Sequence, residues 1–118
     1  MKISQAFKFE AAHFLPGVAE THRCRRLHGH SYRVEVQLEG AVDPQTGFVV
    51  DFFDVEKAFA SIMEALDHRC LNEVDGLSNP TAENIAVWIW DRLKPSLRQV
   101  SAVRVYETSD CWAEYDGR

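Results

Sequence analysis

Two histidines, His28 and His30, are separated by a single residue and follow a cysteine at position 24. In an extended strand, side chains alternate between the two faces, so both imidazoles would point the same way. Two imidazoles on one face supply part of a zinc site, because a catalytic zinc ion usually takes three protein ligands and leaves a fourth position open. This spacing predicts a metal site that needs one more ligand from another part of the chain.

His13 is the best candidate for that ligand. It ends a segment whose alternate residues are mainly apolar and lies on their face, while His28 and His30 lie on the apolar face of the segment that follows them. If the segments pair as antiparallel strands, the end of the first lies beside the start of the second, and the three histidines converge. His22 is the alternative third ligand, but no strand would orient it. We therefore expect His13, His28 and His30 to bind zinc, with Cys24 carried over them by the intervening loop.

Acidic and basic residues elsewhere in the chain could complete a reactive site. Asp67 and His68 form either a helix end, where the dipole favours a histidine, or a proton relay in which Asp67 supports His68 as acid or base. Zinc and nearby cations would lower the pKa of the Cys24 thiol and make it a usable base or nucleophile. Glu107 shares the face of the apolar residues before it. It is an exposed strand end, an arginine partner, or an anchor for the flat N–H edge of a ligand.

The composition of the 118-residue chain indicates one soluble globular domain, residues 1–118, with 46% hydrophobic and 26% charged residues. No apolar run is long enough for a membrane helix and the N-terminus lacks the apolar core of a signal peptide, so we expect a cytoplasmic protein. Its three cysteines, without a CxxC pair, are expected to be reduced thiols. The net charge of −5 does not suggest nucleic-acid binding. Basic residues within 22–26 form either a solvated loop or a contact for an anionic substrate.

Hydrophobic periodicity predicts six main elements in the order ββααββ. The predicted strands are residues 2–13, 30–39, 99–107 and 111–116, and the predicted helices are about 52–66 and from Thr81 to before Pro95. Two amphipathic helices on one face of a four-stranded antiparallel sheet make a two-layer α+β domain. Such a sheet leaves open edges, and pairing with other copies of the chain is a natural way to cover them.

Several short motifs in this order resemble the 6-pyruvoyl-tetrahydropterin synthase family, and most closely its bacterial 6-carboxytetrahydropterin synthase branch, which acts in queuosine precursor synthesis. The motifs are residues 9–13 (FEAAH), 24–30 (CRRLHGH), 66–68 (LDH), 71–72 (LN), 79–83 (NPTAE) and 106–108 (YET). Each motif alone is unspecific, but the set runs nearly end to end and is highly specific in this order.

The resemblance implies the tunnelling fold, in which three subunits join their sheets into a barrel and two such rings stack as a hexamer. It implies an active site at a subunit interface, with zinc on the three histidines. Cys24 would be the catalytic base, Asp67 and His68 would complete the proton relay, and Glu107 would hold the pterin. The substrate would be 7,8-dihydroneopterin triphosphate, converted to 6-carboxy-5,6,7,8-tetrahydropterin with release of acetaldehyde and triphosphate.

Three other interpretations remain open from the sequence. The first is the sister reaction of the same family, which forms a 6-pyruvoyl product with the same ligands. The second is a non-catalytic binding module stabilised by zinc, in which Cys24 would be a fourth ligand. The third is a cysteine hydrolase that uses Cys24, His68 and Asp67 as a triad. The sequence assigns no role to Cys70 or Cys111.

Overall fold

The computed structural model describes all residues, 1–118, and consists of a five-stranded sheet with two α-helices packed on one face. The strands are β1 (Lys2–His13), β2 (His28–Glu39), β3 (Arg69–Cys70), β4 (Val100–Thr108) and β5 (Cys111–Tyr115), and the helices are α1 (Phe52–Leu66) and α2 (Ala82–Leu93). The strand order across the sheet is β3-β1-β2-β4-β5. The two-layer α+β class predicted from the sequence is confirmed.

The long pair of β1 and β2 sets the position of the candidate site. These strands are antiparallel, and their register runs over 12 pairs from Lys2 opposite Glu39 to His13 opposite His28. Side chains on one face of the pair enter the core, and those on the other face are mostly exposed. Because the period of a strand is two, this register places His13, His28 and His30 on the core face, at the end where the sheet meets the loop 14–27.

Both helices begin and end where their side chains predict. The Asp51 carboxylate accepts a hydrogen bond from the backbone N–H of Phe53 at the start of α1, and the Thr81 hydroxyl accepts one from Asn84 at the start of α2. α2 ends at Leu93, two residues before Pro95, which has no backbone N–H to continue the helical hydrogen bonds. The residues that the helices bury are Val55, Phe59, Ile62, Leu66, Ile85, Ala86, Trp88, Ile89 and Leu93.

The sheet has one strand more than the four predicted. This strand, β3, contains only Arg69–Cys70 and pairs parallel with Ala11 and Ala12 of β1, so the sheet is mixed and not purely antiparallel. Two residues are too few to give a periodic signal, which explains why the sequence does not reveal β3. β2 also begins two residues earlier than predicted, at His28.

The outer edges of the sheet are largely without strand partners. β3 covers β1 only at Ala11 and Ala12, which leaves residues 2–10 of β1 without a strand on that side. At the opposite end of the sheet, the outer side of β5 is equally open.

Neither helix combines the length and the apolar character that crossing a lipid bilayer requires.

Candidate active site

Three imidazoles meet at the end of the β1–β2 pair. His13 and His28 lie directly opposite each other in the register, and His30 lies opposite Ala11, on the same face. The ligand nitrogens of His13, His28 and His30 are all within 4.8 Å of one another. His13 is fully buried and the other two are half-buried, so the group borders the core on one side and is accessible from the other.

Two backbone carbonyls fix which nitrogen of each ring faces the centre. Nδ1 of His13 lies 2.8 Å from the carbonyl oxygen of Pro80, and Nδ1 of His28 lies 2.6 Å from that of Arg26. A carbonyl oxygen can only accept, so in the neutral rings both protons are on Nδ1 and both Nε2 atoms present lone pairs. These two Nε2 atoms are only 3.0 Å apart. Such an approach is repulsive unless a cation or a proton lies between them.

The third histidine completes a donor set that fits a zinc ion. Nε2 of His30 is buried and has no hydrogen-bond partner, which is costly for a polar atom unless it has a ligand. Burial lowers the pKa values of His13 and His30, and the neighbouring histidines act in the same direction. Neutral imidazoles are the form that binds metal, and three of them around an open side are the donor set of a catalytic zinc site.

Glu107, the second-last residue of β4, approaches this group of histidines. Its Oε1 lies 3.4 Å from Nε2 of His13 and 3.9 Å from Nε2 of His30. It has no arginine partner, so the ion-pair interpretation of this residue is wrong. Its negative charge opposes the effect of burial on both histidine pKa values. The phenol of Tyr32, 3.1 Å from Nδ1 of His13, has its pKa raised by burial and further by Glu107.

Cys24 lies in a single 3-10 turn, Arg23–Arg25, within the loop 14–27. Its carbonyl oxygen accepts a hydrogen bond of 2.8 Å from the backbone of Leu15, which ties the turn to the chain just beyond His13. The half-buried Cys24 sulfur does not belong to the group of converging ligand atoms. His22 does not belong to it either, because its Nδ1 accepts the backbone N–H of Cys24 and caps the turn.

Asp67 and His68 form a close pair between α1 and β3. Nδ1 of His68 lies 3.0 Å from Oδ1 of Asp67, and the same oxygen accepts the backbone N–H of Glu10 at 3.0 Å. The hydrogen bond from the Glu10 backbone has the largest effect on Asp67 and lowers its pKa, and the hydrogen bond from His68 lowers it further. His68 adopts a left-handed backbone conformation, with φ of 58°, and its side chain is 78% exposed. A cavity of about 540 Å³ is lined by both His68 and His30.

Some groups at the site could not be identified from the sequence. The carbonyls of Arg26 and Pro80 orient two imidazoles, but a backbone carbonyl carries no residue-specific signal. In the basic loop, the Arg25 guanidinium donates to the carbonyl oxygens of Pro16 and Val18, at 3.2 and 2.8 Å. Arg25 therefore holds the loop together.

The family profile and two similar relatives of this chain point to the same protein family. The sequence profile described as 6-pyruvoyl tetrahydropterin synthase matches residues 2–118. An Archaeoglobus fulgidus protein, provisionally named a 6-carboxy-5,6,7,8-tetrahydropterin synthase, is 39% identical over 114 residues, which cover 97% of this chain and 94% of the relative. A Synechocystis protein named 6-carboxy-5,6,7,8-tetrahydropterin synthase is 40% identical over 120 aligned positions, with 96% and 91% covered.

A solved structure gives the same result for the fold. The 6-pyruvoyl tetrahydropterin synthase of Caenorhabditis elegans superposes with a TM-score of 0.91 at 26% identity, covering 100% of this chain and 96% of that one. The profile, the relatives and the fold agree over nearly the whole length of the chain. The chain therefore belongs to the 6-pyruvoyl tetrahydropterin synthase family.

Proposed function

We propose that this member of a family of pterin-metabolising enzymes converts 7,8-dihydroneopterin triphosphate and water to 6-carboxy-5,6,7,8-tetrahydropterin, acetaldehyde and triphosphate. The product would be a precursor of queuosine. The observation that carries the proposal is the convergence of three imidazoles beside the carboxylate of Glu107. The Nε2 atoms of His13 and His28 present lone pairs, and Nε2 of His30 is buried without a hydrogen-bond partner. The near full-length similarity to two proteins named for the carboxy-forming reaction favours that branch.

In this proposal His13, His28 and His30 hold a zinc ion. When bound, zinc would supply Lewis acidity to the side-chain oxygens of the substrate and make the adjacent C–H bond more acidic. Glu107 would accept hydrogen bonds from the amino-pyrimidine edge of the pterin, a charged and two-pronged contact that fixes its orientation.

The proton transfers are assigned to three side chains. Cys24, as the thiolate, would remove the acidified proton, and His68 would give or take protons at the leaving positions. Asp67 would support the charged form of His68, since its Oδ1 already lies 3.0 Å from the ring nitrogen. The backbone contacts of Glu10 hold the pair in place on one side of β1.

We further propose that the active enzyme is a homo-oligomer, built on trimers that form a hexamer in solution, with its site shared between subunits. Within one chain no hydrogen bond joins the Cys24 sulfur to His68, so the relay needs either movement or a second copy. The open edges of β1 and β5 supply surfaces for pairing. Beside the β1 edge lies an apolar groove of about 470 Å³ that includes Phe7 and Met63.

One alternative retains a specific observation in its favour. The fold neighbour from C. elegans is a 6-pyruvoyl tetrahydropterin synthase, and the sister reaction would use the same ligands. The non-catalytic zinc module is less well supported, because the Cys24 sulfur stands outside the ligand group and would leave the fourth position open. The hydrolase triad would not need the three histidines.

The test is product analysis by mass spectrometry. Metal-replete and chelator-treated protein would each be incubated with 7,8-dihydroneopterin triphosphate, and acetaldehyde would be assayed in parallel. We expect a 6-carboxypterin and acetaldehyde only from the metal-replete sample. A pyruvoyl product without acetaldehyde would move the protein to the sister reaction, and an absence of turnover would remove the proposed substrate.

A further inference from the structure

We infer that Asn72 is a positioning residue for His13, acting through the backbone of Phe14 and the loop that carries Pro80. The inference rests on the proposed role of His13 as a metal ligand. Asn72 touches no imidazole itself. Its side-chain amide instead contacts the two parts of the chain that determine where the His13 ring lies.

The first contact is with the residue directly after His13. Oδ1 of Asn72 accepts the backbone N–H of Phe14 at 2.9 Å, and Nδ2 of Asn72 donates to the Phe14 carbonyl at 2.7 Å. One side chain therefore satisfies both main-chain groups of Phe14, as a neighbouring strand would. The β1–β3 pairing stops at Ala12 opposite Cys70, so the Asn72 amide extends that pairing past His13.

The second contact is with the loop between β3 and α2. Nδ2 of Asn72 also lies 3.4 Å from the carbonyl oxygen of Ser78, two residues before Pro80. The Pro80 carbonyl accepts the Nδ1 proton of His13 and so fixes the rotation of the ring. Asn72 thus joins the backbone that carries His13 to the loop that orients it, and a shift at either would move Nε2.

Asparagine is the residue type that this position needs. The Phe14 N–H requires an acceptor, and the carbonyls of Phe14 and Ser78 require a donor, and a primary amide supplies both. Aspartate of nearly the same shape keeps the acceptor but places a negative oxygen against two carbonyls. Alanine removes both contacts and leaves the part-buried main-chain groups of Phe14 dependent on water.

The same short segment also holds the proposed proton relay. Asp67 and His68 bind the main chain of Glu10, β3 pairs with Ala11 and Ala12, and Asn72 binds Phe14. The segment 67–72 therefore runs beside residues 10–14 and fastens to them at both ends. We expect substitution of Asn72 to affect the metal site more than the relay, since Asp67 and His68 keep their own contacts with Glu10.

The test measures metal affinity and ligand geometry in the full chain. The dissociation constants of Zn²⁺ and Co²⁺ would be determined by competition with a chelator for the wild type, Asn72→Asp and Asn72→Ala. Loss of an outer contact to a metal-binding histidine typically weakens metal binding by about 10–100-fold. Asn72 acts one step further from the metal, through the backbone, so we expect a loss at the lower end of that range, about 10-fold, in both variants, with a changed Co²⁺ absorption spectrum.

The control is Leu38→Val, a buried substitution near the far end of β2, ten residues along the strand from His28. It should lower the melting temperature modestly but leave the metal dissociation constant and the Co²⁺ spectrum unchanged. This variant separates the positioning effect from general destabilisation. Because Asn72→Asp is nearly isosteric, it tests the inference even if Asn72→Ala does not fold.

A measurement on metal-free protein keeps the inference distinct from the proposed function. The Nδ1 proton of His13 should give a slowly exchanging NMR signal in the wild type, because it is bonded to Pro80, and the signal should broaden or disappear in Asn72→Asp. Wild-type affinity, spectrum and Nδ1 signal in both variants would overturn the inference. A wild type that binds metal but does not turn over the pterin would overturn only the proposed function.

Discussion

Zinc binding should raise the melting temperature of this protein by about 11 °C when free zinc is at 100 times its dissociation constant. The reason is the arrangement of His13 and His28, whose Nε2 atoms lie 3.0 Å apart with their Nδ1 protons held by carbonyls. The unfolded chain cannot maintain this arrangement. Zinc held by the proposed ligands would therefore bind the folded state and shift the unfolding equilibrium towards it.

The magnitude follows from two general quantities. A ligand at 100 times its dissociation constant stabilises the folded state by about 2.7 kcal/mol. Unfolding entropy is about 2.1 cal/mol/K per residue, so a chain of 118 residues has about 0.25 kcal/mol/K. The ratio is about 11 °C. It does not change if subunits unfold together, because each added subunit brings one zinc site and one chain's entropy.

The assay is differential scanning calorimetry of chelator-treated protein with and without added Zn²⁺. His28→Ala removes one of three ligands and should abolish most of the shift, whereas Cys24→Ala should keep it. A full shift in the His28→Ala variant would refute the ligand assignment. A shift that disappears in Cys24→Ala would show that the sulfur binds the metal, and the site would then be closed.

Four further outcomes are expected. Cys24→Ala should reduce kcat by at least about 100-fold, as loss of a general base does, while zinc stays bound. Steady-state kinetics check the loss of kcat, and metal analysis of the purified variant checks the zinc content. Glu107→Gln should raise KM for the pterin by about 10–100-fold, the usual effect of losing a charged hydrogen-bond acceptor; an unchanged KM in steady-state kinetics would remove Glu107 as the anchor. His68→Gln should lower kcat without changing zinc content, and equal kcat in the two proteins would exclude it from the relay. Metal-free protein should lose stability as the pH falls below about 6.5, the ordinary pKa of histidine, because burial holds the pKa values of His13 and His30 lower in the folded state and the unfolded chain then binds more protons. Urea unfolding midpoints that do not fall across this range would contradict the burial of neutral imidazoles.

The long elements could be predicted because their periodic patterns are strong. The helix predicted at 52–66 has the observed bounds of α1, since Asp51 caps it and buried residues recur every three or four positions. Parity also indicated which face of β1 and β2 carries the three histidines, because a shift by one residue would expose the core face of the strand. For this reason the convergence of three histidines could be anticipated from residue types alone.

Contacts between distant, irregular segments could not be predicted. β3 has two residues and is defined only by its neighbour β1, so it has no local signature. The carbonyl of Pro80 approaches His13 because the loop after β3 folds back across the end of the sheet. The Asn79–Pro80 pair indicates a turn, but the direction of a carbonyl depends on tertiary packing.

The loop 14–27 joins the two strands at the rung formed by His13 and His28, which gives it unusual freedom to change. Its ends are held by the sheet whatever its length, and doubling the length of such a closed loop costs only about 0.6 kcal/mol. The three imidazoles lie on fixed rungs, whereas the Cys24 thiol lies on the loop itself. Changes in the part of this loop before Arg26, whose carbonyl orients His28, could therefore replace the proposed reactive group without disturbing the histidines. The fold separates a part that can retain the proposed metal ligands from a part that can acquire new chemistry.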